Sequence, residues 1–228
     1  MKLLIAVKSC QDHLTRGFHD AIRATWYKDA KAAGVDVRFF VGASPTKYLS
    51  DEVHVKCDDS YKGLPYKTRE ICRWVSGKLI DYTFFCDTDT YLHIPYLISS
   101  GFENYDYQGW MMHKLGVAFP YNTTDLDGLP ELHPQCYTWA SGGIGYFLSQ
   151  RAAREVAYGH PSSWAEDLSV GQVVGPKIVA GELTARSTRD NEYHGNYYAW
   201  HFPRTEYDNQ SYDPKFGWME KKYAEQHG

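Results

Sequence analysis

Two aspartates one residue apart close the apolar run "YTFFC", giving Asp87-Thr88-Asp89. Like charges this close repel strongly away from water, so either a cation lies between them or both face solvent. Carboxylates at i and i+2 can share a divalent ion and, through it, hold a diphosphate; oxygen ligands suit Mg²⁺ or Mn²⁺. The bland alternative is a pair of solvated turn residues. A third acid, Asp167, stands in "SSWAEDLSVG". Ser163-x-x-Glu166 reads there as a capping box, which gives Glu166 a helix-capping task and leaves Asp167 free to project. Acids at a helix start are also common dressing, since the helix dipole favours them. The paired glycines of "SGGIGYFLS" (141–149) permit a ligand to approach the backbone closely or simply form a tight turn. His194 and His201 lie among aromatic residues near the end of the chain; either could ligate a metal or serve packing alone.

These residues need elements to carry them. Leu3 to Val7 reads as a buried strand, and Phe18 to about Ala33 as a helix with Phe18, Ile22 and Trp26 on one face, stopped by Gly34. Strands follow at 35–42 and 52–57, a helix at 66–80 with Ile71, Trp74, Val75 and Leu79 on its apolar face, and then the strand that ends at Asp87. Strand and helix in alternation predict a largely parallel sheet covered on both faces, and ligands of such sheets collect beyond the carboxyl ends of the strands. The second half predicts a loop-rich stretch over 101–135, a strand at 143–149 and a helix ending at Gly159. A helix starting at the SSWAED segment, a strand at "PKIVAG" (176–181) and a polar helical tail follow. No repeat, linker or low-complexity tract divides the chain. It reads as a single domain over 1–228.

Composition narrows the partners. A hydrophobic content of 43% with 23% charged residues excludes disorder. A net charge of −4 with no basic stripe disfavours general nucleic-acid binding. Aromatic residues at 16% supply flat faces of the kind that stack on sugars or bases. Five cysteines without a CxxC pair argue against a disulfide framework and against a zinc knuckle. "MKLLIAVKSC" is too short an apolar run for a signal segment or membrane span, so a cytoplasmic, soluble protein is expected and the two N-x-[ST] sequons read as chance.

Taken in order, the segments resemble the Fringe and β1,3-galactosyltransferase family of glycosyltransferases. "LIAVKSC…FHDAIRATW" is similar to that family's opening. "DDSYKGLPYKT" resembles its D-x-Y-x-N-L-x-x-K-T, "FFCDTDTY" its D-D-D-x-[FY], "SGGIGYFLS" its G-G-x-G-Y-x-[LI]-S and "EDLSVG" its E-D-V-x-x-G. Thr88 replaces the middle aspartate and Gly63 the usual asparagine. No anchor or stem is visible, as expected of a minimal soluble form from a bacterium or virus.

The resemblance implies the GT-A fold, an α/β fold with a mostly parallel central sheet flanked by helices. It implies inverting transfer of a hexosyl or pentosyl unit from a nucleotide-diphosphate sugar, UDP-linked by expectation, to a hydroxyl of a glycan or glycoconjugate, with Mn²⁺ (or Mg²⁺). Asp167 takes the base position, ionised by its helix start. Asp89 and Asp87 hold the metal, with His194 preferred as third ligand and His201 its rival. Lys8, Ser9, Arg23, Tyr61, Lys67 and Thr88 are the expected donor contacts; Gly142, Gly143 and Trp164 are expected on the acceptor side. Three rival readings share some of these features. One is the same chemistry on a hydroxymethylated base in viral DNA. A second is a haloacid-dehalogenase-like phosphatase using Asp87 as nucleophile and Asp89 as acid. The third is a non-catalytic sugar-binding module.

Overall fold

The computed structural model describes residues 1–42, 49–112, 137–161, 163–188, 198–202, 213–214 and 217–228. Its elements are β1 (Leu3–Lys8), α1 (Gln11–Thr15), α2 (Phe18–Ala24), α3 (Trp26–Ala32), β2 (Asp36–Gly42), β3 (Glu52–Val55), α4 (Leu64–Ser76), β4 (Tyr82–Asp87) and β5 (Thr90–Leu92). There follow α5 (Ile94–Ile98), β6 (Tyr107–Gly109), β7 (Tyr146–Ser149), α6 (Gln150–Tyr158), α7 (Glu166–Val179), β8 (Ala185–Ser187), β9 (Ala199–His201) and α8 (Trp218–His227).

Among the described residues seven strands form one sheet in the order β3-β2-β1-β4-β7-β6-β8, and β5 pairs with β9 in a separate ribbon. Within the seven, β7 alone runs antiparallel, to β4 on one side and β6 on the other. The inner strands are apolar on both sides because both sides are covered. Ile5, Val7, Phe39 and Phe84 face one core with α2, α3 and α8. Their chain neighbours Leu4, Ala6, Phe40 and Phe85 face the other, with α4, α6 and α7, as the two-residue side-chain period of a strand requires. Full burial of each such Phe stabilises by roughly 1.5–3 kcal/mol. Parallel registry sets Lys8 beside Asp87 at the carboxyl ends of β1 and β4.

The expected α/β frame is present, with local differences. The helix read over 18–33 is two helices, broken at Thr25, whose hydroxyl bonds back to the Ala21 carbonyl at 2.8 Å. Such back-bonding competes with the helical ladder and bends it. Phe18, Ile22 and Trp26 remain buried on one side. The strand expected at 176–181 is instead helix to Val179 and turn beyond it: α7 carries Pro176 inside it and buries Val170 and Val174 at helical spacing. The strand of that region comes later, at β8. Gln150–Tyr158 is helical as expected, capped by Ser149, whose Oγ accepts from the Ala152 amide at 3.1 Å. Among the described residues no helix is long and apolar enough to cross a membrane.

Candidate active site

A cleft of about 720 Å³ opens over the carboxyl ends of β1 and β4, lined among others by Lys8, Ser9, Asp59, Asp87, Asp89 and His201. The ribbon of β5 and β9 pairs Thr90 with His201, which delivers the imidazole beside the acidic pair. His201 Nε2 lies 3.2 Å from Asp89 Oδ2. One ligand atom from each of Asp87, Asp89 and His201 falls within 4.8 Å of the others. Two carboxylate oxygens and one imidazole nitrogen at this separation fit a divalent cation. His194, the preferred third ligand on sequence grounds, lies outside the described residues.

Behind the pair lies a buried cation. Lys8 is 3% exposed; its Nζ is 3.3 Å from Asp87 Oδ1 and 2.7 Å from Glu166 Oε2. Burial draws its pKa down, but Asp87 and Glu166 outweigh this and raise it, so it stays charged. Burial drives the Asp87 carboxyl up to about 6, with Lys8 pulling the other way and Asp89 and Glu166 adding to the rise. Glu166 is not a helix cap. It is buried and accepts from Lys8, from Thr68 Oγ1 at 2.8 Å and from the Tyr146 hydroxyl, while Ser163 Oγ accepts from the Ala165 amide at 3.1 Å. A buried lysine without that carboxylate would cost far more than a lost cap.

Asp167 follows on the same helix start. Its Oδ2 accepts from the Gly142 amide at 3.1 Å and its Oδ1 from the Leu168 amide at 2.8 Å. The helix start was expected to hold its basicity down. Burial and the neighbouring Glu166 charge raise the pKa instead, against those two amide bonds, which leaves Asp167 a better proton acceptor than an exposed aspartate.

The glycines serve the protein's own side chains. A Cβ on Gly142 would sit 3.2 Å from Glu166 Oε2 and 3.3 Å from Asp167 Cβ; one on Gly143 would sit 2.9 Å from the His201 ring. Gly143 still lines the cleft. Of the expected donor contacts, Lys8, Ser9, Tyr61, Lys67 and Thr88 line it too. Lys67 is buried and tied to Asp59 at 2.6 Å and to the Ser9 carbonyl. Thr88 Oγ1 is 2.8 Å from His13 Nδ1.

Arg23 is not a cleft residue. Its guanidinium is spent on Asp51, Asp20 and Glu52 at 2.8–3.0 Å. Trp164 reaches the site indirectly, its ring 6.1 Å from that of Tyr61. Sequence reasoning passed over Asp59 and His13 and read Glu166 only as a helix cap. Asp59 binds the amides of Gln11 and Gly42 at 2.6 and 2.7 Å, and its signal was the D-x-Y of "DDSY". The signal for Glu166 was the E-D pair itself.

The sheet thus carries an acidic pair at an inner strand tip, and the first turn of α7 carries a further acid, Asp167. The galactosyltransferase family profile matches residues 19–182. The chain belongs to the galactosyltransferase family and is a glycosyltransferase. Among solved structures it is similar to the crystal structure of a glycosyltransferase involved in the glycosylation of the major capsid of PBCV-1. Identity is 12%, over 90% of this chain and 96% of that one, with a TM-score of 0.50, a likeness of fold consistent with GT-A. No curated protein sequence matches. The family match does not favour the phosphatase reading.

Proposed function

We propose that the chain transfers a sugar from a nucleoside-diphosphate donor, UDP-linked in our reading, to a hydroxyl of a glycan or glycoconjugate, inverting the anomeric carbon. The observation that carries this is the continuous polar chain from the Asp87–Asp89–His201 cluster through Lys8 to Glu166, next to Asp167. It ties the end of the cleft that would hold the leaving diphosphate to the residue that would accept a proton. Asp87, Asp89 and His201 would hold Mn²⁺, which when bound neutralises the charge growing on the diphosphate.

Asp167 takes the acceptor's proton as its oxygen attacks the sugar carbon, and the bond from that carbon to the diphosphate breaks. Burial supports that role by raising its basicity. Lys8 and Lys67, held in their ion pairs, offset the negative charge of Asp87, Glu166 and Asp59 beneath the diphosphate. The exposed ring of Tyr61 offers a stacking face on the donor side, and Trp164, its ring 6.1 Å away, a face toward the acceptor.

The test is Asp167→Asn, assayed with a panel of UDP-sugars and Mn²⁺. Transfer should fall at least about a thousandfold while calorimetric binding of UDP with Mn²⁺ stays within about threefold, as expected of an interaction made only in the transition state. Equal loss of both would make Asp167 structural.

A further inference from the structure

Beneath the cleft floor runs a second buried hydrogen-bonded chain that the chemistry above does not use. Ser9, the first residue after β1, is 4% exposed and lines the cleft. Its Oγ lies 2.7 Å from His19 Nε2 on α2. His19 Nδ1 lies 3.1 Å from Glu52 Oε1, and that carboxylate is held by Arg23 at 2.8 Å and by the Leu49 amide at 3.1 Å. The His19 ring also stacks on Phe39, with centroids 4.2 Å apart.

The partners assign every proton. Against the upward push of burial, Glu52 is pulled down by Arg23, the Leu49 amide and His19, so it is ionised and can only accept. His19 Nδ1 therefore carries hydrogen. Burial lowers the imidazole's own pKa, so the ring is neutral at pH 7 and Nε2 has a lone pair in place of a second N–H. The hydrogen in the Ser9–His19 contact must then come from Ser9. Its hydroxyl proton is committed to His19, so toward any further partner the oxygen can only accept. A serine on the surface would rotate to suit either kind of partner; this one cannot.

We propose that Ser9 is a specificity-determining residue of the donor site, fixed by His19 and Glu52 as a hydrogen-bond acceptor that recognises an N–H or O–H donor on the nucleoside. The inference rests on the donor-site reading above and deepens it. Position supports it: Ser9 follows Lys8, the residue registered against Asp87 across the sheet, and lines the same cleft as the acidic pair, Asp59 and Tyr61. Nearby acceptors are committed, since Asp59 takes the Gln11 and Gly42 amides and Lys67, and the Ser9 carbonyl takes Lys67. The donor groups a uridine could present are the ring imide N–H and the ribose hydroxyls. A nucleoside offering only an acceptor at that point would leave two lone pairs facing each other and be rejected.

The experiment measures Mn²⁺-dependent binding by calorimetry for wild type, Ser9→Ala and His19→Phe, each with UDP, N3-methyl-UDP, 2′-deoxy-UDP and 3′-deoxy-UDP. One analogue, the one missing the recognised donor, should bind wild type about tenfold or more weakly than UDP. That penalty should shrink to within about twofold in Ser9→Ala. His19→Phe keeps the stack on Phe39 but cannot receive the serine proton, so its penalty should be intermediate. A merely structural serine would weaken all four ligands alike and leave the ratios untouched; unchanged ratios, or no penalised analogue, overturn the assignment. If UDP with Mn²⁺ fails to bind wild type at all, the donor-site reading falls and takes this inference with it. If UDP binds and the ratios do not move, only the role of Ser9 falls.

Discussion

Truncating Glu166 to alanine is the sharpest test of the polar chain under the cleft. Glu166 is 4% exposed and accepts three bonds, from Lys8, Thr68 and Tyr146. Its removal leaves Lys8, 3% exposed, with one carboxylate at 3.3 Å and deprives two buried hydroxyls of their acceptor. Removing one partner of a buried pair costs about 3–5 kcal/mol. The orphaned hydroxyls draw on the same loss rather than adding to it in full. At roughly 2–4 °C per kcal/mol for a chain of this size, 4 kcal/mol is a Tm drop of about 8–16 °C. Urea unfolding followed by tryptophan fluorescence gives the free energy and calorimetry the Tm. The double variant Lys8→Met/Glu166→Leu removes both charges into apolar surroundings and should lose at least about 2 kcal/mol less than the two single losses combined. A loss below about 1 kcal/mol for Glu166→Ala, or simple additivity in the double variant, would show that the buried ion pair does not hold this region together.

His201→Ala should weaken Mn²⁺ affinity more than about tenfold in calorimetry while leaving the fold intact, since the ring is partly exposed; unchanged affinity would remove His201 from the ligand set. Gly143→Ala and Gly145→Ala should separate function from stability. An added Cβ at 143 meets the movable His201 ring at 2.9 Å, whereas one at 145, where φ is +93°, meets the Phe85 carbonyl at 2.6 Å. The first should lower metal affinity at a cost under about 1 kcal/mol, and the second should cost more than about 2 kcal/mol in urea unfolding; equal costs would refute the distinction. Asp87, with its pKa raised from 3.8 to about 6, is protonated more readily folded than unfolded. Its contribution to stability therefore falls as pH rises from about 4 to about 6, opposite in sign to a salt-bridged carboxylate. Wild type minus Asp87→Asn, followed by metal-free denaturation across that range, should decline; a flat or rising difference counts against the burial of that charge.

The strand tips were legible because their signals are local. An apolar run that breaks at Asp87 and Asp89 marks a strand end, and strand alternating with helix fixes the sheet type. His201 was legible only as one of two candidates. It reaches Asp89 through a three-residue ribbon, and three residues carry no period to read. β6 and β8 escaped for the same reason. Glu166 was misassigned because Ser163-x-x-Glu166 satisfies a local rule, and nothing in the sequence says that Lys8, distant along the chain, is buried and needs that carboxylate. The glycines of "SGGIGY" were recognised as places of close approach, but what approaches is His201 and Asp167, which only tertiary structure reveals. For α7, the strand read over 176–181 lost to the burial of Val170 and Val174 one helical turn apart.

The β5–β9 ribbon has a consequence for how the chain matures. Synthesis proceeds from the amino terminus, so the two aspartates emerge from the ribosome well before the imidazole that β9 brings to them. Until that late segment zips onto β5, a nascent chain carries only two of the three residues of the candidate metal cluster. The complete cluster is thus withheld from every copy that stops short of β9.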